Sequence, residues 1–194
     1  LEFRYIHPTG RLIWLSAAVE RVDEDRIVGI TFDITDRKLA EEQAWRAVNH
    51  DALTGLPNRR LFHQRLVQAL ATAERGGTSV SLLLLDLDRL RDVNDTLGHD
   101  AGDAVLCEAA RRLSKGLRET DTVARHGGDE FALLLTEPLR LEHATKYAEV
   151  LLERLRQPFA YRGHTLTCRA SIGLAAWPDH HRSTYDLFMD TDIA

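Results

Sequence analysis

The segment SVSLLLLDLD at residues 79–88 limits the possible folds of this chain more than any other. Leu82 to Leu85 leave no polar face, so a strand here is apolar on both sides and needs cover on both. The flanking sequence supplies that cover. Phe62, Leu66, Ala69, Leu70 and Ala73 share one face of a helix expected over about 58–75. Val105, Leu106, Ala109, Leu113 and Leu117 do the same over about 100–118. Further helices are expected at about 88–97, at about 139–156 and from about Ser183 onward, and β-rich runs bracket Gly127-Gly128 and Arg162-Gly163. Strands alternating with helices, plus an antiparallel pair at the diglycine, predict an α/β (α+β) fold. Its core would be a central mixed sheet with an antiparallel hairpin, covered by helices.

Residues 1–36 have a different character. FRYIHPTGRLIWL gives two β-rich runs around a Pro-Thr-Gly turn, and RIVGITFDI gives a third. Their few long apolar side chains bury too little surface to fold alone, so they are expected to be the end of a larger β unit. DITDRKLAEEQ opens a charged helical stretch, with Leu39, Ala40, Ala44, Ala47 and Val48 as a weak apolar stripe through the linker at 37–50. That stripe suits a solvated linker or a helix paired with its own copy, and it is too short to choose between them. The chain starts within a strand pattern and stops at Ile193-Ala194 within a helical one, so it reads as a fragment truncated at both ends.

The composition narrows the function. A formal charge of -5 with 28% charged residues argues against a nucleic-acid partner, which would call for a basic face. A phosphate-rich ligand remains compatible if metal ions or backbone N–H groups balance its charge locally. The longest apolar run is too short to span a bilayer, and LEFRYIHPTG carries no signal pattern, so no direct membrane contact is expected from this fragment. The expected location is cytoplasmic, with a full-length parent that could be membrane-tethered. Cys107 and Cys168 fall in apolar-periodic segments and are expected as buried, reduced thiols.

The acids carry the chemistry. The apolar strand ends in Asp86-Leu87-Asp88, at the strand end where α/β sheets hold ligands, although acids there equally cap a following helix. Arg125-His126-Gly127-Gly128-Asp129-Glu130-Phe131 places two acids after a tight reversal, which by itself also suits a polar hairpin tip. Asp86 with Asp129 and Glu130 gives three carboxylates from two sheet elements, a donor set for hard divalent cations. Between them, Asn94 and Asp103 offer an amide and a carboxylate that match the donor edge of guanine. The same stretch, with Asp95 and Asp100 around Gly98 and Gly102, also suits the caps of a helix–turn–helix.

DALTGLPNRRLF at 51–62, DLDRLRDVNDTLGHDAGD at 86–103, RHGGDEF at 125–131 and ASIGLAAWP at 170–178 resemble, in order and spacing, the motifs of GGDEF-domain diguanylate cyclases. The likeness covers residues 51–194 and implies a fold related to nucleotide cyclases and polymerase palms. It implies that Asp86, Asp129, Glu130 and the Leu87 carbonyl hold two Mg²⁺ ions (Mn²⁺ as a substitute), with Asp129 and Glu130 catalytic. It further implies that Asn94 and Asp103 read guanine, that Leu90 and Arg91 lie at the substrate, and that Gly127 and Gly128 let the backbone approach the triphosphate. The implied reaction joins two GTP into cyclic di-GMP and two pyrophosphates across a homodimer. Arg118-Glu119-Thr120-Asp121 matches the family's RxxD product-inhibition site, and it also reads as a charged helix end.

Two features depart from the family pattern. Leu90-Arg91 stands where Phe-Lys is common, so a guanidinium fork replaces an ammonium. MDTDIA ends before the lysine and arginine that usually contact phosphate. Residues 1–36 resemble the closing strands of a PAS sensor domain with its exit motif, which implies control over how two cyclase halves meet. The alternative is a non-catalytic, GTP-binding GGDEF domain that regulates a neighbour such as an EAL phosphodiesterase.

Overall fold

Few bulky side chains and alternating β-branched residues make the N-terminal segment a thin sheet. The computed structural model describes residues 1–24, 26–136 and 141–178, and the chain divides into two units, Leu1–Val48 and Asn49–Ala194. In the first unit, β1 (Glu2–Ile6), β2 (Leu12–Arg21) and β3 (Ile27–Asp33) form an antiparallel meander. Helix α1 (Thr35–Asn49) follows directly. Its start is fixed by the Thr35 hydroxyl, which accepts the Trp14 N–H at 2.9 Å, and by Asp33, which accepts the Thr35 N–H at 2.8 Å. Ile27, Val28, Ile30 and Phe32 stay exposed, as do Leu39, Trp45 and Val48 of α1. So small a sheet covers little of its own apolar surface.

The second unit is organised by the leucine run. Helix α2 (Arg59–Gly76) starts where Asn58 Oδ1 accepts the Leu61 N–H at 3.1 Å, and it stops at Gly77, whose φ of 63° only glycine adopts readily. Strand β4 (Val80–Leu87) then enters the core, followed by α3 (Leu90–Leu97), α4 (His99–Ser114), β5 (Thr122–Gly127) and β6 (Glu130–Leu135). Helix α5 (Leu141–Arg156), the short hairpin β7 (Phe159–Tyr161) and β8 (His164–Leu166), and β9 (Ala170–Trp177) complete the described part. The main sheet runs β5-β6-β4-β9. Both faces of β4 are covered, as its sequence requires. Val80 and Leu82 pack with Phe62, Leu66 and Leu70 of α2, while Leu83, Leu85 and Leu87 pack with Leu106 and Leu113 of α4 and Leu151 and Leu155 of α5.

The α/β reading holds, with helices on both faces of a central sheet. Within it, the expected mixture of strand directions is nearly absent among the described residues: their strand pairs in this sheet are antiparallel, and the parallel element found there is an isolated bridge between Asn58 and Arg125. The reason is topological. Strand β9, an Ala/Gly/Ser-rich stretch with weak strand propensity, was not expected as a strand. It arrives after the separate β7–β8 hairpin and pairs antiparallel along all of β4. Helix α4 ends at Ser114, short of the expected 118, because Lys115 turns extended and Gly116 takes φ 84°. Cys168 is buried as expected. Cys107 is exposed, because its position on α4 turns away from the sheet. The helix expected from Ser183 lies outside the described residues. Among those described, no helix is long and apolar enough to cross a membrane.

Candidate active site

The leucine strand turns polar where its cover ends. Val80, Leu82, Leu84 and Asp86 alternate onto the α2 side of β4, and only the last is exposed. Directly across from Asp86 stand Glu130 on β6 and Ser171 on β9, so a polar row crosses three neighbouring strands. Asp129 occupies the two-residue loop between Gly127 and Glu130. Gly128 opens that loop at φ 44°, as a tight hairpin reversal demands. A Cβ on either glycine would meet nothing within 4 Å, so the backbone here is bare. The Asp129 carbonyl accepts the Leu87 N–H at 3.2 Å, which ties the loop to the end of β4.

The charges in this corner repel one another. Partial burial, then Asp129, Glu130 and Asp88 in turn, push the Asp86 carboxyl above its ordinary range, and among the described residues every charged group acting on it is an acid. Among the described residues, no three His, Cys, Asp or Glu side chains stand close enough together to hold a metal ion. The acids are gathered without converging. Their chemistry still fits a hard divalent cation, which takes carboxylate and carbonyl oxygens and would relieve the mutual repulsion.

The exit from β4 is sharply bent. Arg89 takes φ 61°, unusual for a residue with a side chain, and its guanidinium pairs with Asp92 at 2.6 Å. Asp88 is held at the start of β9 by two bonds: its N–H donates to the carbonyl of Arg169, the residue before β9, at 2.9 Å, and its carboxylate accepts the Ser171 hydroxyl at 3.1 Å. Of the two residues expected at substrate here, Arg91 is exposed and Leu90 is buried in the core.

Helices α3 and α4 bring Asn94 beside Gly102, immediately before the exposed Asp103. The Asn94 Oδ1 is buried with no hydrogen-bond partner among the described residues. The expected pair is therefore adjacent. Arg118 and Asp121 are also adjacent, but the aspartate is occupied: one oxygen accepts the Arg118 N–H at 3.2 Å and the other the Thr136 N–H at 3.3 Å.

Sequence reasoning overlooked one link. Arg125 Nε and Nη2 both donate to the Gly128 carbonyl, at 3.0 and 2.7 Å, while Nη1 reaches both oxygens of Asp51 at 3.2 Å. Asp51 in turn accepts the Thr54 N–H and hydroxyl. The Asp-Ala-Leu-Thr turn is thereby latched to the diglycine loop. Both residues lay inside quoted motifs, but a pairing across so long a stretch of chain leaves no local signal.

A family model described as the diguanylate cyclase GGDEF domain matches residues 48–194. The bifunctional diguanylate cyclase/cyclic di-GMP phosphodiesterase MucR of Pseudomonas aeruginosa is 41% identical over 145 residues, which is 75% of this chain and 21% of MucR. The solved GGDEF domain of TpbB from the same organism shares 40% identity at a TM-score of 0.72, covering 74% of this chain and 84% of that one. The coiled coil and GGDEF domain of DgcB from Caulobacter crescentus, solved in complex with c-di-GMP, matches at TM-score 0.75 and 27% identity over 83% of this chain and 85% of that one. The chain spans 21% of the length of MucR and 37% of full-length TpbB.

Proposed function

The chain belongs to the GGDEF diguanylate cyclase family, and from that premise we propose that it condenses two GTP into cyclic di-GMP and two pyrophosphates, as one half of a homodimeric active site in the cytoplasm. The observation that carries this reading is the row of acids at the end of β4: Asp86 faces Glu130 in register, Asp129 adjoins them, and burial, then these neighbouring charges, push the Asp86 carboxyl upward. Such a site gains by binding cations and polyphosphate together.

Asp86, Asp129, Glu130 and the Leu87 carbonyl are the oxygen donors for Mg²⁺. When bound, two such ions (or Mn²⁺) would neutralise the triphosphate and ease departure of pyrophosphate. The remaining work falls to the chain. Asn94 and Asp103 hold the guanine, a role supported by their adjacency, with Asn94 seated against Gly102 immediately before the exposed Asp103. Bare Gly127 and Gly128 let the loop backbone lie close to the phosphates, and Arg91 supplies positive charge at the start of α3. A carboxylate oxygen of Asp129 takes the proton of the ribose 3′-hydroxyl. The ribose 3′-oxygen, freed of its proton, then bonds to the α-phosphorus of the GTP on the partner domain as the bond from that phosphorus to the β-phosphate oxygen breaks and pyrophosphate leaves. Each domain carries one GTP, so two must face each other.

Regulation is part of the proposal. Arg118 would grip the anionic cyclic product while Asp121 shapes the turn that presents it, and the likeness to DgcB, solved in complex with c-di-GMP, supports binding of that product by this domain. Residues 1–36 would be the closing part of a PAS sensor, acting through the helix at 37–50 on how two domains meet.

The decisive experiment incubates the protein with GTP and Mg²⁺ beside an Asp129→Ala, Glu130→Ala variant. Cyclic di-GMP from the wild type alone is the expected result. GTP binding with no cyclic product from the wild type would overturn the reading in favour of a non-catalytic regulator.

A further inference from the structure

Ser171 belongs to the ASIGLAAWP stretch, and nothing in the proposed chemistry gives it a task. Its position is nevertheless specific. It stands opposite Asp86 in the β4–β9 register, on the exposed end of the sheet face that carries the acids. Its hydroxyl turns to Asp88, two residues past Asp86, and donates to Oδ1 at 3.1 Å. The Asp88 N–H meanwhile donates to the carbonyl of Arg169, just ahead of β9, at 2.9 Å, so the start of β9 holds Asp88 by both backbone and side chain.

What Asp88 anchors is the bend into α3. The next residue, Arg89, is forced to φ 61°, a conformation that costs a non-glycine residue of order 1 kcal/mol and persists only where its surroundings impose it. The Arg89 side chain makes no capping bond to α3, and the Arg89 carbonyl accepts the N–H groups of Asp92 and Val93 at 3.1 and 3.4 Å. The orientation of the first turn of α3, with Arg91, therefore depends on how Arg89 is set, and Arg89 is set from Asp88. The Asp88 carboxylate is also an acid beside an acidic site. Held by Ser171, it is directed at β9; released, it is free to swing and compete for charge near Asp86.

Resting on the cyclase reading above, we infer that Ser171 is a positioning residue for the triphosphate: by holding Asp88 against β9, its hydroxyl fixes the strained turn at Arg89 and the phosphate-facing start of α3. It touches neither substrate nor the reacting atoms. Its effect belongs to ground-state binding of the nucleotide rather than to the bond-making step, because what it orients grips phosphates before and during the reaction alike.

The test uses the chain as it stands, with Ser171→Ala, Ser171→Thr and Asp88→Asn variants. Steady-state kinetics with GTP are paired with calorimetric binding of a non-hydrolysable GTP analogue in Mg²⁺, and with thermal melts. In Ser171→Ala, KM and the analogue Kd should both rise by about five- to tenfold, the scale of one lost hydrogen bond to a charged group, while kcat stays within about twofold. The melting temperature should hold to within about 2 °C, since the site is exposed. Ser171→Thr, which keeps the hydroxyl, should restore both values, and Asp88→Asn should move KM in the same direction as Ser171→Ala. Analogue affinity unchanged in Ser171→Ala would overturn the inference, and so would a fall in kcat at constant KM, or a threonine variant as weak as alanine. A wild type that binds no analogue and makes no product sinks the cyclase reading instead, so the two failures are distinguishable.

Discussion

A Cβ placed on Gly102 would lie 1.9 Å from Asn94 Oδ1, and that oxygen is itself buried without a hydrogen-bond partner among the described residues. The glycine of α4 is thus the seat of the asparagine of α3. Gly102→Ala should gain roughly 0.5–1 kcal/mol in helix propensity, because glycine is a poor residue within a helix. The obstacle is the end of a side chain that can swing away, so the fold survives. Asn94 does not stay where it was. The expected result is a melting temperature equal to or above wild type, with GTP affinity down about tenfold or more, the scale of a lost base-edge contact. Unchanged affinity by calorimetry would separate Asn94 from guanine recognition.

Arg125 joins the Asp51 turn to the Gly128 carbonyl, and both side chains are mostly shielded. Burial alone would raise the Asp51 carboxyl, but the hydroxyl and N–H of Thr54 together with Arg125 outweigh it and leave Asp51 below its ordinary range. Asp51→Asn keeps the size and removes the charge. It should lower cyclic di-GMP synthesis by about tenfold through a looser loop at Gly128, with nucleotide binding less affected. Synthesis equal to wild type would show that the latch is purely structural.

Arg112 is almost wholly buried on α4, and its guanidinium donates to the carbonyls of Arg154, Leu155 and Gln157 at the end of α5 while pairing with Glu108 at 2.7 Å. Arg154 returns the favour, donating to the Arg112 and Lys115 carbonyls at the end of α4. Each helix closes the other. Arg112→Met should destabilise the domain by about 3–5 kcal/mol, lowering its melting temperature on the order of 10 °C. Glu108 adds a pH signature. Arg111 first, then Arg112 against the opposing effect of burial, hold its carboxyl down to about 2 from an ordinary 4.5. A depressed folded value means its stabilising contribution is full above pH 4.5 and fades as the pH falls toward 2. In Glu108→Gln that loss on acidification should be smaller, as read by urea melts across that range.

Arg118 and Asp121 have different tasks in the same turn, since the Asp121 carboxylate is spoken for by two backbone N–H groups. Arg118→Ala should raise the cyclic di-GMP concentration needed for half-inhibition by about tenfold or more and leave initial rates intact. Asp121→Asn should instead cost stability as well as inhibition. Inhibition unaltered in Arg118→Ala would reject the product site.

Much of this molecule could be read from local pattern. The leucine run dictated a doubly covered strand, and Phe62, Leu66 and Leu70 on one side with Leu106 and Leu113 on the other supply that cover. Gly127-Gly128 announced a hairpin, and Asp86 with Asp129 and Glu130 announced an acidic corner. Other expectations failed for identifiable reasons. Cys107 and Cys168 look alike in a periodic sequence, yet one faces out. Strand β9 has too little bulk to declare itself and is made by the backbone ladder of β4.

Hydrophobic periodicity and turn residues are properties of neighbours along the chain, so the sequence by itself determined most of the elements, the buried strand and the identity of the acids. It did not determine who meets whom. The antiparallel order of the sheet, the Asp51–Arg125 latch, the Asn94–Gly102 seat and the Ser171–Asp88 bond each join residues on separate elements. Such pairings depend on backbone register and packing summed over the whole core, and only the folded chain fixes these.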